Sequence, residues 1–151
     1  MKKSLGFTLI ELMITIAIFA ILIGIGVPSY QNTIQQSRID DATTLIHSAL
    51  SYAKNTAIAH NRPLYMTAAD NVLTLATSTA VAAEIVNRTT IDTDSDSNLS
   101  VTGLTSVIIF RANGTITADN TIRYNPDGKG INITVSANGD TTVNPITGDS
   151  H

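Results

Sequence analysis

The first thirty residues, 1–30, read MKKSLGFTLIELMITIAIFAILIGIGVPSY, and they decide how the rest of the chain is built. From Phe7 to Val27 the run is apolar over 21 residues, broken by one charge, Glu11. At about 1.5 Å of rise per residue, a helix of that length covers roughly 30 Å, the thickness of a bilayer's hydrocarbon core. A membrane-spanning helix is therefore predicted. Lys2 and Lys3 precede it and no basic cluster follows closely, so the amino terminus is expected in the cytoplasm and the remainder outside it. A secretory signal peptide is the competing reading, but its apolar stretch is usually shorter and ends at an A-x-A-like site, which is not found here. An ionised side chain at depth costs about 2.5–3.5 kcal/mol on insertion scales, so Glu11 needs a compensating partner or must snorkel to the interface.

The 151-residue chain has room for one compact domain plus such an appendage. Its strong hydrophobes are concentrated at the start, whereas the last hundred or so residues are rich in Thr, Asn, Asp, Ser and Ala. Cysteine is absent, which excludes disulfides and thiol chemistry and fits an exported domain relying on its own core. The formal charge is −3, and setting Lys2 and Lys3 aside makes the remainder more acidic still. That balance argues against general nucleic-acid affinity.

After Pro28 the apolar positions become periodic: Ile39, Ala42, Leu45, Ile46, Ala49, Leu50, Ala53, Ala57 and Ile58. Steps of three and four place them on one stripe of an amphipathic helix, with Arg38, Asp41, Ser48 and Lys54 largely off it. Asn61-Arg62-Pro63 supplies a breaker, so the helix is expected to end near His60. Phe7 to His60 would form one rod of about 80 Å, bent or weakened by Gly24, Gly26 and Pro28.

Beyond Pro63 short β-rich runs alternate with turn signals. Strands are predicted at 64–67, 72–76, 106–111, 115–117, 121–124, 131–136 and 141–143, with turns at 69–71, 112–114, 125–128 and 138–140. Ile131, Ile133 and Val135 alternate with Asn132, Thr134 and Ser136, so this strand should face the core on one side and water on the other. The helix stripe is the natural cover for that core. Residues 81–103 show no pattern that places them.

Taken as a unit, the short basic leader, Gly6 before Phe7, Glu11 four residues on, and Pro28 resemble the class III signal of type IV pilins and of the pseudopilins of type II secretion. The resemblance implies that a prepilin peptidase cuts after Gly6 on the cytoplasmic face and methylates the new amine of Phe7. It implies a precursor held in the inner membrane with a periplasmic domain, later built into a pilus or pseudopilus by an inner-membrane assembly platform. In a filament of staggered parallel helices, Glu11 of one subunit would meet the Phe7 ammonium of the next, neutralising both charges and setting register. The implied fold is α+β, a pilin fold with a long helix on an antiparallel sheet domain. Residues 1–6 would be the leader, 7–28 the membrane half of the helix with a kink at Pro28, 29–61 its amphipathic half, and 62–151 the β-rich domain.

The stretch FRANGTITADNTIRYNPDGKGINITVSANGDTTV, residues 110–143, is similar to the C-terminal part of the GspH/FimT branch of minor pilins. So is the stretch from Ala49-Leu50 to Ala57-Ile58, where the helix ends. The branch implies a minor pilin at the pilus tip or in the priming complex, partnered by other major and minor pilins. The alternative within the same fold is the H-type minor pseudopilin of a type II secretion system. A reading of another class is DNA capture, which some FimT-like proteins perform through a Gly-Arg-x-Arg-like tail. The matching place here reads Gly139-Asp140-Thr141-Thr142, without arginines. Arg111, Arg123 and Lys129 lie on or near adjacent predicted strands as a candidate small patch, but scattered charges more often form a solvated face.

Asp92, Asp94 and Asp96 alternate as in a calcium loop, yet Ser97 stands where an EF-hand requires Gly and Gly103 where it requires Glu. A solvated acidic loop is the better reading. His47, His60 and His151 lack metal-ligand spacing, and no Ser, His and Asp set stands out. No cofactor, metal or enzymatic activity is expected.

Overall fold

The computed structural model describes residues 7–80, 82–91, 99–103, 106–126 and 130–146. Helix α1 (Leu9–Ala59) is followed by β1 (Leu64–Ala69), β2 (Val72–Ala76), β3 (Ile85–Thr90), β4 (Leu99–Gly103), β5 (Val107–Phe110), β6 (Asn120–Tyr124), β7 (Gly130–Val135) and β8 (Thr141–Ile146). Two compact units divide the chain, Met1–Ser37 and Arg38–His151. In the first, α1 passes through Gly24, Gly26 and Pro28 without interruption. Pro28 has no N–H to offer the Gly24 carbonyl, yet it does not end the helix. The helix is long and apolar enough to cross a membrane, and its apolar window has no residue buried by the rest of the chain.

The second unit holds the core. Helix residues Ile39, Ala42, Ile46, Ala49, Leu50, Ala53 and Ala57 are buried against both sheets. Four of them are alanines, small side chains that fill little of the space between helix and strands. Leu45 and Ile58, expected on this stripe, are 37% and 45% exposed, so the buried face is narrower than the periodicity predicts. The helix closes in a Schellman motif: Arg62 N–H donates to Ala57 O, Asn61 N–H donates to Ile58 O, and Asn61 takes φ 49°. The breaker therefore acts within a residue or two of its predicted place.

The strands form two four-stranded sheets, ordered β3-β2-β1-β5 and β4-β6-β7-β8, which together make up the antiparallel domain that the resemblance implies. Every pairing is antiparallel. The β1–β2 hairpin turns through Asp70 and Asn71, whose φ values of 49° and 58° suit a tight two-residue loop. Leu64, Met66, Leu73, Leu75, Ile108 and Phe110 from the first sheet meet Leu99, Ile122, Tyr124, Ile131, Ile133 and Val135 from the second in one core. Strands β3 and β4 occupy the region that no sequence pattern places. Buried Asn71 fixes both: its carbonyl accepts from Ile91 N–H at 2.8 Å, and its Oδ1 accepts from Leu99 N–H at 3.1 Å. The predicted strand at 115–117 is reduced to a single bridge, Ile116 to Phe110.

Candidate functional site

The residues singled out by sequence fall in two places. At the amino end Phe7 is 84% exposed, and the apolar side chains from Leu9 to Val27 stand uncovered around Glu11. Thr8 is the N-cap of α1, and its Oγ1 accepts from Glu11 N–H at 3.4 Å. Thr8-Leu9-Ile10-Glu11 has the spacing of a capping box, in which a hydroxyl satisfies an orphan donor of the first turn. Glu11 also lies in the positive field of the helix N-terminus, worth about 0.3–1 kcal/mol in the first turn. The Thr8 contact is made by the Glu11 backbone N–H, so the carboxylate itself is left for another partner. The T-x-x-E pattern that marks Thr8 as the cap is readable in the sequence. Gly6 lies outside the described residues, and α1 is helical across Pro28.

Of the candidate basic patch, the two described residues belong to different sheets. Arg111 is exposed in the turn after β5, an edge of the first sheet, while Arg123 is exposed on β6 of the second sheet. The expectation that they lie on adjacent strands is not met, because β5 pairs with β1 and β6 with β4 and β7. Lys129, together with Asp92, Asp94, Asp96 and His151, lies outside the described residues. Of the remaining histidines, His60 is exposed and His47 Nδ1 lies 3.4 Å from Thr141 Oγ1, tying α1 to β8.

Where the Gly-Arg-x-Arg-like tail would stand, Gly139 has a packing role. It closes the β7–β8 turn at φ +83°, its N–H donating to Ser136 O at 2.7 Å. Lys54 Nζ reaches Gly139 O at 3.5 Å, and the Lys54 stem also passes beside Gly114 in the turn after β5. Two hairpin turns are thereby gathered onto the last turns of α1.

Comparison with known proteins gives two family matches. Residues 1–27 match the prokaryotic N-terminal methylation motif, and residues 42–139 match the family described as type II transport protein GspH. Prepilin peptidase-dependent protein D of Escherichia coli (strain K12) is 54% identical over 41 residues, 27% of this chain and 28% of that protein. A fimbrial protein of Pseudomonas aeruginosa is 40% identical over 68 residues, 45% of this chain and 44% of that protein. The chain therefore matches less than half the length of these relatives. Among solved structures, the type IV minor pilin FimU of Pseudomonas aeruginosa superposes with a TM-score of 0.56 at 16% identity, covering 74% of this chain and 91% of that one. The pilin fold is common to both.

Proposed function

Because the chain belongs to the GspH family, we propose that it works as a minor pilin, taking part in type IV pilus assembly at the tip or in the priming complex. The observation that carries this reading is Glu11, the single charge in an apolar helix half that the chain itself leaves uncovered. The N-terminal methylation motif matched over residues 1–27 supports cleavage after Gly6 and methylation of Phe7. Residues 7–28 would hold the precursor in the inner membrane, Pro28 would be the point where the helix bends, and residues 62–151 would stand in the periplasm. The fimbrial protein of Pseudomonas aeruginosa that the chain matches supports pilus over pseudopilus. The role is structural, so no catalytic group is assigned.

The test is Glu11→Val. Loss of the carboxylate leaves insertion at least as favourable. In the filament it strands a neighbour's Phe7 ammonium, a penalty of roughly 3–5 kcal/mol for breaking a buried pair. The variant should be exported, cleaved and stable in the inner membrane, yet largely missing from sheared filaments. Thr8→Ala separates capping from pairing: it removes the N-cap, at about 0.5–2 kcal/mol, but keeps the charge and should still enter filaments. Glu11→Val present in filaments at the parental level would refute the pairing. The H-type pseudopilin is the second reading, favoured by the description of the matched family. Deletion that abolishes exoprotein secretion while piliation persists would establish it instead.

A further inference from the structure

A pocket of about 190 Å³ opens on the outer face of the first sheet, away from the helix. Its floor is Tyr65 and Thr67 of β1 with Thr74 and Ala76 of β2, and its walls are Ile85 of β3 and the connection that contains Ser78, Thr79, Ala80 and Ala83. The alternation that buries Leu64, Met66, Leu73 and Leu75 obliges these neighbours to point outward. A register shift between Leu75 and Ala76 sets Ile85 opposite Ala76 and so shapes the wall; bulges of this kind re-aim side chains beside binding sites. The connecting loop is closed by Thr77 N–H donating to Glu84 O and Ala83 N–H donating to Ala80 O, both at 3.0 Å.

We infer that this pocket binds a single neutral sugar ring. Five of its lining residues carry hydroxyls, and of these five only the Ser78 hydroxyl is engaged by a described residue, accepting from Ala80 N–H at 3.2 Å. By contrast Thr115, Thr117, Thr121 and Thr134 on the same domain all turn their hydroxyls to partners within the chain. Tyr65, Thr67 and Thr74 are half-buried residues, and a ligand with matching donors and acceptors would satisfy their hydroxyls. Strands β1 and β2 are each paired on both sides, so the floor offers no backbone groups and a peptide strand has nothing to pair with. No charged side chain lines the pocket, and the nearby Arg62 and Glu84 face each other at 3.8 Å, which disfavours an ionic ligand. The Tyr65 ring, Ala76 and Ile85 supply apolar surface for the C–H face of a sugar. The volume lies below the roughly 300 Å³ at which drug-sized sites begin, which limits the ligand to one ring.

The full-length protein, held in a phosphocholine detergent because glycoside detergents would compete, is titrated with methyl β-galactoside, methyl β-glucoside and N-acetylglucosamine and followed by backbone NMR. At least one sugar should shift the amides of Tyr65, Thr67, Thr74 and Thr79 saturably in the millimolar range, equally at low and high salt. Tyr65→Ala and Thr74→Val should each weaken it about tenfold, the equivalent of about 1.4 kcal/mol. Thr79→Ala, in an exposed loop outside both sheets, should also weaken binding, and it keeps the test valid if a strand variant unfolds. The inference fails if none of the three sugars shifts these amides, or if binding is unchanged in every folded variant. It also fails if a capped leucine dipeptide shifts them while the sugars do not, since the pocket would then receive another protein's side chain.

Discussion

Gly139→Ala puts a methyl group where the two hairpin turns meet. A Cβ at this position would stand 2.7 Å from Gly114 O, a backbone atom that cannot rotate away, and 2.9 Å from Lys54 Nζ, a flexible chain end. The residue also holds φ +83°, the left-handed region that penalises a side chain by about 1–2 kcal/mol. Forcing extra volume into a packed contact adds about 1–3 kcal/mol. Lower freedom of the unfolded chain returns about 0.4–1 kcal/mol. The net loss is about 2–4 kcal/mol, a large share of a total stability on the order of 5–15 kcal/mol. Gly114→Ala is the internal comparison: φ is +81°, but the Cβ would meet Ile58 Cδ1 at 2.9 Å, and that half-exposed side chain can swing aside. Its cost should stay near about 1 kcal/mol, the backbone penalty of about 1–2 kcal/mol less the same return from the unfolded chain. Chemical unfolding of the full-length variants in detergent, followed by the near-UV signal to which buried Tyr124 contributes, measures the difference. Gly139→Ala within about 0.5 kcal/mol of the parent, the scatter of ordinary surface substitutions, or milder than Gly114→Ala, would refute the packing account.

Two further outcomes concern the amino terminus and the charged surface. Gly6→Val should leave full-length precursor in the membrane, because a side chain there keeps the peptidase from approaching the backbone closely; an intact mass showing normal removal of residues 1–6 would contradict the cleavage assignment. The full-length protein should bind duplex DNA weakly or not at all at physiological salt, since its net negative charge releases few counterions and Arg111 and Arg123 stand on different sheets. Micromolar binding that falls steeply with salt and is weakened by Arg111→Ala, Arg123→Ala or Lys129→Ala would overturn this.

The long helix, its end at the Asn61-Arg62-Pro63 breaker and most hairpins were legible because each rests on contacts between residues close in sequence. The 3.6-residue period, the αL-tolerant Asn61 and the turn residues Asp70-Asn71 all act within a few positions. The membrane half was legible for a related reason: length and apolarity are properties of the segment alone. Glu11 stood out as a charge where charge is costly, and the cap that Thr8 provides to its backbone N–H is local in the same way. Strands β3 and β4 were not legible. In Ile85–Thr90 the polar Asn87, Arg88, Thr89 and Thr90 carry no alternating apolar signal, because β3 is an edge strand with no fully buried residue. Alternation tells which face of a strand turns inward but not which strand lies beside it, so the division into two sheets came only from non-local pairing. Likewise Leu45 and Ile58 match the helix period, and only the tertiary packing of α1 shows them to lie outside its buried face. The hydroxyl-lined pocket and the gathering of Gly114 and Gly139 around Lys54 join residues far apart in the chain, and their geometry exists only once the strands have paired.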